Sequence, residues 1–183
     1  RTAYRGMTTH RTPPASAEAR FRHIFCHLDA IARYAARRGS RDPEGIAAET
    51  MTIAWRKLSA VPADDPRPWL FMTARHLLMA ERRRDGRQAP LDPEVLEGVA
   101  ARPVESGDPE VTAALMELSP NDREALVLIA WDDLTPAQAA ASLGIRPVAF
   151  RVRLLRARRR FGRALEARAS AAERARLLEM ESA

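Results

Sequence analysis

Apolar residues recur at helical spacing through most of this chain, with short polar breaks between the runs. Phe21, Ile24, Phe25, Leu28, Ile31, Ala32 and Ala35 share one stripe, because residues three and four apart lie on one helix face. Ser16, after Pro13-Pro14, is the expected N-cap, and Gly39 supplies the stop. Asp42-Pro43-Glu44 reopens a helix with a cap, a proline at the first position and an acid in the first turn. Its stripe is Ile46, Ala47, Thr50, Met51, Ala54 and Leu58, with Trp55 beside it. Residues 59–66 (SAVPADDP) interrupt the pattern as a loop, and a third helix is expected from about Pro68 to Arg84.

Between 85 and 109 the pattern dissolves. Pro90, Pro93, Pro103, Pro109, Gly86, Gly98 and Gly107 alternate with Asp85, Asp92, Glu94, Glu97, Glu105 and Asp108. This predicts an acidic, mostly extended linker with at most one helical turn at 93–98. Helical spacing resumes near Glu110 with VTAALMEL. Ser119-Pro120-Asn121-Asp122 reads as a capping box that opens a helix through Trp131. Thr135-Pro136-Ala137-Gln138 is a second such box, opening a very short helix that Gly144 ends. The last helix starts near Pro147 and runs past Phe161, and an Ala/Arg/Glu-rich tail at 167–183 is an expected extension of it. The pattern therefore predicts an all-α protein of two small helical domains joined by an acidic extended linker. Its expected divisions are a tail at 1–13, a first domain at 14–86, the linker at 87–109, a second domain at 110–166 and the tail at 167–183.

Composition narrows the partners. A chain of 183 residues suffices for two small domains, and 46% hydrophobic with 30% charged residues fits a folded, soluble protein. The formal net charge of +6 points to an anionic partner, nucleic acid before membrane surface. Lys57 is the only lysine, and an Arg and Ala bias also follows from a GC-rich genome, so charge alone leaves the question even. The single cysteine, Cys26, excludes an intrachain disulfide and suits a reducing cytoplasm. Its place on the apolar stripe predicts a buried, inert thiol. No apolar run approaches the ~20 residues of a membrane span and no signal peptide is visible, so a cytoplasmic protein without membrane insertion is expected. Residues 1–6 precede Met7 and are expected to be foreign to the fold.

The last two helices carry the chemistry. Two helices joined by a tight glycine turn form a helix-turn-helix layout. At 100° per residue, Phe150, Leu154, Ala157 and Phe161 share the face that packs on Ala139, Ala140, Leu143 and Ile145. The opposite face presents Val148, Ala149, Val152, Leu155, Arg156, Arg159 and Arg160, with Arg151 and Arg153 on its flanks. A solvated helix face usually mixes acids with bases, yet no acid occurs between Asp133 and Glu166. Major-groove readers combine arginine, for guanine edges and phosphates, with short apolar groups for thymine methyls. A plain basic, solvated helix is the competing reading of these residues.

The motifs LSPNDREALVL (118–128), LTPAQAAASLGI (134–145) and FRVRLLRARRRF (150–161) resemble region 4 of the sigma-70 superfamily of bacterial transcription initiation factors, in the form of its extracytoplasmic-function (ECF) group. EGIAAETMTIAWRKL (44–58) resembles region 2.2, and RPWLFMTARHLLMAERRR (67–84) regions 2.3 to 2.4. The resemblance covers roughly residues 17–166 in matching order and spacing. It implies a protein that binds core RNA polymerase and directs promoter recognition and DNA melting, with catalysis left to the polymerase. Region 2 would grip the β′ clamp helices, with Glu49 and Arg56 as contacts, and capture the non-template strand of the −10 element through Arg75, His76, Ala80 and Arg83. Arg82 and Arg84 would add phosphate charge, and Trp69 would pack at the helix start. Region 4 would dock on the β flap and read the −35 duplex with Ala149, Arg151, Val152, Leu155, Arg156 and Arg159. Arg158 and Arg160 would meet phosphate or solvent, and the acidic linker would run through the polymerase's template and RNA channels. The chain departs from the family at Gly45, where an acid is usual, and at Ala48, where glutamine is frequent. His76 stands where asparagine is common, and Ala80 where Asp or Asn is. An altered −10 preference follows from the last two. Anti-sigma factors often hold such proteins, so such a partner is an expectation too.

Other classes find less support in the residues. There is no phosphate-cradling glycine loop, no nucleophile motif and no ordered metal-ligand set, so an enzyme, a cofactor and a metal site are not expected. His23-x-x-Cys26-His27 is the nearest to a metal motif, but no further ligand completes it. A stand-alone helix-turn-helix regulator that binds duplex without polymerase is the alternative. It would need its own dimer interface or sensory domain, and the first domain offers neither.

Overall fold

The computed structural model describes residues 15–84 and 108–181, and within them every regular element is helical. The expected linker at 87–109, apart from its last two residues, and the tail at 1–13 lie outside the described residues. The N-terminal group comprises α1 (Ala15–Phe25), α2 (Leu28–Arg37), α3 (Pro43–Arg56), a 3₁₀ turn (Leu58–Ala60) and α4 (Arg67–Arg84). The C-terminal group comprises α5 (Pro109–Met116), α6 (Pro120–Ala130), α7 (Pro136–Leu143) and α8 (Pro147–Glu181). Among the described residues no helix is long and apolar enough to cross a membrane.

The N-terminal core is built where α2, α3 and α4 face one another, from Ile31, Tyr34, Ala47, Met51, Ala54, Leu70, Phe71 and Leu78. Tyr34 and Phe71 meet edge to face at 4.9 Å, the geometry their ring quadrupoles favour. Asp42 caps α3 by accepting from the Gly45 amide at 2.8 Å. A Cβ at Gly45 would stand 2.0 Å from the Asp42 carboxylate, so the glycine leaves room for this cap. Gly39, at φ +72, turns the chain out of α2, as its lack of a Cβ allows.

Two expectations fail in this half. The single stripe from Phe21 to Ala35 is divided by a bend at Cys26-His27 into α1 and α2. No proline or glycine marks it; α1 packs on α3 while α2 packs on both α3 and α4, and one straight rod does not meet both surfaces. The bend turns Cys26 outward, so the thiol is exposed rather than buried and donates to the His23 carbonyl. Phe25 is likewise 48% exposed.

In the C-terminal group, Leu115, Ala125, Leu128, Leu134, Ala139, Ala140, Phe150, Leu154 and Ala157 are buried together. Arg123 fastens α5 to α6 by donating to the Leu115, Met116 and Leu118 carbonyls at 2.9, 3.1 and 3.2 Å, which satisfies helix-end acceptors that would otherwise lack partners. Thr135 and Gln138 close the expected capping box reciprocally, at 2.8 and 3.2 Å. The box expected at Ser119 is only half made: Ser119 Oγ accepts from the Asp122 amide at 3.3 Å, but the Asp122 carboxylate pairs with Arg160 instead. The Asp side chain is one methylene shorter than the Glu or Gln of a full box, and a guanidinium is in reach.

A candidate nucleic-acid interface

The α7–turn–α8 unit is set by local chemistry. Gly144 closes α7 in the left-handed region, at φ 67 and ψ 27, with its amide on Ala141 O and the next, from Ile145, on Ala140 O at 3.1 and 3.0 Å. A Cβ there would meet no atom within 4 Å, so backbone conformation rather than space calls for glycine. The chain then re-enters a helix at Pro147, and α8 packs on α6 and α7.

Packing fixes which way α8 faces. Phe150, Leu154 and Ala157 are 0%, 5% and 0% exposed, with Phe161 half-buried behind them. The six residues expected to read the −35 duplex, Ala149, Arg151, Val152, Leu155, Arg156 and Arg159, are all exposed. Val148, Val152 and Leu155 are 67%, 43% and 51% exposed among these arginines. Apolar side chains grouped on a charged surface mark a contact face more than a solvated one. Arg160 is exposed, as expected, and also pairs with buried Asp122, which ties α8 to the first turn of α6. Arg153 is half-buried and faces the N-terminal group.

The N-terminal candidates are treated less evenly. His76 and Arg83 are exposed and Ala80 is half-exposed. Arg75, expected to help capture the −10 strand, is only 9% exposed. It lies with His76 in a cleft of about 320 Å³ whose other wall is Gly144, Ile145 and Arg153 of the helix-turn-helix. Arg75 thus lies where the two groups meet. Arg82 is half-buried and donates to the Arg38 carbonyl at 2.8 Å, so its guanidinium is engaged within the fold as well. Trp69 is half-buried and packs on the core, as expected. Glu49 and Arg56 are exposed on α3. Glu49 borders a groove with Ala80 and Arg84. The neighbouring strip of Phe21, Phe25, Met51 and Trp55 forms an open apolar groove of about 440 Å³. Phe21 and Trp55 touch edge to face there at 4.9 Å.

The residues that pattern reading missed are those joining the two groups. Arg38, at 1% exposure, donates from Nε and Nη2 to Glu124 at 3.1 and 2.5 Å, from Nη2 to Asp132 at 3.1 Å, and from Nη1 to the Tyr34 carbonyl at 3.1 Å. Its guanidinium carbon lies 3.5 Å from the Tyr34 ring centroid. Burial opposes its charge, but Glu124, Tyr34 and Asp132 outweigh that and hold the guanidinium more firmly protonated than usual. Burial pushes the Tyr34 hydroxyl up to about 12. Arg37 also pairs with Asp132. A double arginine before Gly39 and a double aspartate after α6 were visible in sequence, but both patterns equally suit helix ends in water.

Among the described residues no group of three or more His, Cys, Asp or Glu side chains is placed to hold a metal ion. His23 and the half-buried His27 stand edge to face, with ring centroids 6.3 Å apart.

Residues 109–161 match the family model described as sigma-70, region 4. No curated protein matches the chain. Among solved structures, the sigma factor RpoE in complex with the anti-sigma factor NepR from Bartonella quintana is 25% identical. It superposes with a TM-score of 0.56 over 79% of this chain and 95% of its own. CnrH, solved in complex with the cytosolic domain of CnrY, is 26% identical with a TM-score of 0.57, covering 84% of this chain and 94% of its own. The helix-turn-helix with its exposed basic face thus belongs to a DNA-binding protein of transcription initiation. Residues 109–161 thus match sigma-70 region 4, and over most of its length the chain is similar to solved sigma factors.

Proposed function

We propose that this protein binds core RNA polymerase and directs it to promoters by reading a −35 element with α8 and capturing an unpaired −10 strand with α4. The observation that carries this reading is the outward face of α8, where arginines and short apolar side chains are exposed together without an acid. Arg151 and Arg156 suit guanine edges, Ala149, Val152 and Leu155 suit thymine methyls, and Arg158 and Arg159 suit phosphate. On the N-terminal group (residues 14–86), Glu49 and Arg56 are the contacts with the β′ clamp helices. His76, Ala80 and Arg83, with Arg75 once uncovered, face the −10 strand. Helix-turn-helix residues 110–166 dock on the β flap, and 87–109 form the tether. Catalysis belongs to the polymerase, and the protein works in the cytoplasm. By likeness to the RpoE–NepR pair, an anti-sigma factor is a further partner.

Run-off transcription with core polymerase on a genomic promoter library tests the whole reading and returns both promoter elements. Expected is protein-dependent initiation at a small set of sites, with Glu49→Arg lowering affinity for core and leaving binding to duplex DNA unchanged. Failure to bind core, together with tight binding to duplex alone, would make the protein a stand-alone regulator.

A further inference from the structure

Half-buried arginines in this fold find oxygen partners, with one exception among the described residues. Arg20, Arg37, Arg67, Arg82, Arg123 and Arg168 are half-buried, and each donates to a carbonyl or carboxylate. Arg153 on α8 is equally half-buried, yet it makes no hydrogen bond or ion pair among the described residues. It lines the cleft of about 320 Å³ together with Arg75 and His76 of α4. His76 and the half-buried Asn121 carboxamide, on the same lining, are likewise without a partner among the described residues. Glu124 is the one acid on that lining, and Arg38 already holds its carboxylate at 2.5 Å.

Such an arrangement is costly as it stands. A cation withdrawn from water needs an opposite charge or good acceptors to offset its lost hydration. Two guanidinium groups in one concave site also repel each other, and low-dielectric walls strengthen the positive potential there. An anion with several acceptor oxygens relieves both effects at once, and the guanidinium fork matches phosphoryl oxygens in pairs.

We propose that this cleft is a binding site for a small phosphorylated ligand of the nucleoside diphosphate class. Its phosphoryl oxygens accept from Arg153, His76 and Asn121, with Arg75 adding charge. Met72, Leu143 and Ile145 give the same cleft an apolar lining, which suits the flat face of a base, and a methionine thioether packs well against aromatic rings. The volume lies at the small end of ligand pockets, which begin at about 300 Å³. A nucleic-acid strand instead needs an open basic track, and the exposed Arg83 and Arg84 lie outside this cleft. The site goes beyond the sigma-factor reading and does not rest on it.

Calorimetric titration of the full chain with ADP, GDP, CDP, UDP and inorganic pyrophosphate tests the site. Expected is one-to-one binding of at least one nucleoside diphosphate, with shifts of the Gly144 and Ile145 amide resonances and the His76 ring resonances. Arg153→Gln should weaken that binding at least about tenfold, as loss of a charge-assisted contact does. Arg146→Gln, at an exposed arginine outside the cleft, should leave it unchanged. Absence of binding by every probe would overturn the site. So would equal losses in the two variants, which would mean diffuse attraction to a basic surface, or resonance shifts confined to other parts of the chain. Binding of a single-stranded oligonucleotide by a protein that ignores all the diphosphates would overturn it too, and would assign the cleft to a DNA strand. The wild-type titration and its resonance shifts decide the matter even where Arg153→Gln fails to fold. Core-polymerase binding is a separate measurement, so failure of the sigma reading leaves these outcomes untouched.

Discussion

Helices α4 and α8 are both rich in arginine, and the fold uses the two sets differently. On α8 the inward positions are filled by Phe150, Leu154 and Ala157, so Arg151, Arg156 and Arg159 are left to the outside. On α4 no such division holds. Leu70, Phe71, Ala74, Leu78 and Met79 are buried, but the remaining surface is itself approached by α7. Arg75 is covered, Arg82 is engaged by the Arg38 carbonyl, and only Arg83 and Arg84 are exposed. A basic helix that packs on one side advertises its charges, and one that packs on two sides spends them on its neighbours.

Removing what orients α8 should have the largest effect. Phe150→Ala deletes a wholly buried ring, and a loss of about 3–5 kcal/mol is expected, read as a strongly lowered melting temperature together with lost binding to the −35 duplex. Next comes the division of labour among the arginines. Arg156→Ala should weaken promoter-specific binding by about 1–3 kcal/mol with core affinity intact. Arg160→Ala, which removes the pair with Asp122, should leave selectivity unchanged and cost at most a modest drop in melting temperature. Competition between promoter and scrambled duplexes separates the two, and equal losses of selectivity would refute the division. Thr135→Ala opens the reciprocal cap of α7, for which about 1 kcal/mol of stability is expected to go, seen by denaturant titration.

The smallest effect is a pH dependence in the N-terminal group. Burial, then the charge of Arg67, holds the His27 imidazole below its ordinary value. The folded state therefore binds fewer protons than the unfolded one over that interval. Stability should fall as pH drops below about 6.5, the unfolded imidazole's value, and level off below the folded value. His27→Gln should flatten that slope in melts from neutral to mildly acidic pH, and an unchanged slope would assign it to other groups.

The same contrast explains what could be read in advance. Elements fixed within a few residues were legible: the Thr135–Gln138 box, the turn at Gly144, the proline starts of α3 and α8, and the phase of α8. Each depends on a helix period or a backbone conformation that neighbouring residues decide. The bend at Cys26-His27 was not legible, because no breaker marks it and it answers to where α3 and α4 lie. The burial of Arg75 and the partners of Arg82 and Arg160 were not legible either, since a long charged side chain takes whatever partner the fold brings within reach.

By itself, then, the sequence determined an all-α chain, the helix-turn-helix and the outward face of its last helix, because helix periodicity and capping are local. Only the tertiary structure decided that Arg37, Arg38 and Arg67 meet Asp132 and Glu124 across 86 to 95 residues of chain, or 65 for Arg67. Charge is not periodic, and which charges pair depends on the docking of one group of helices against another.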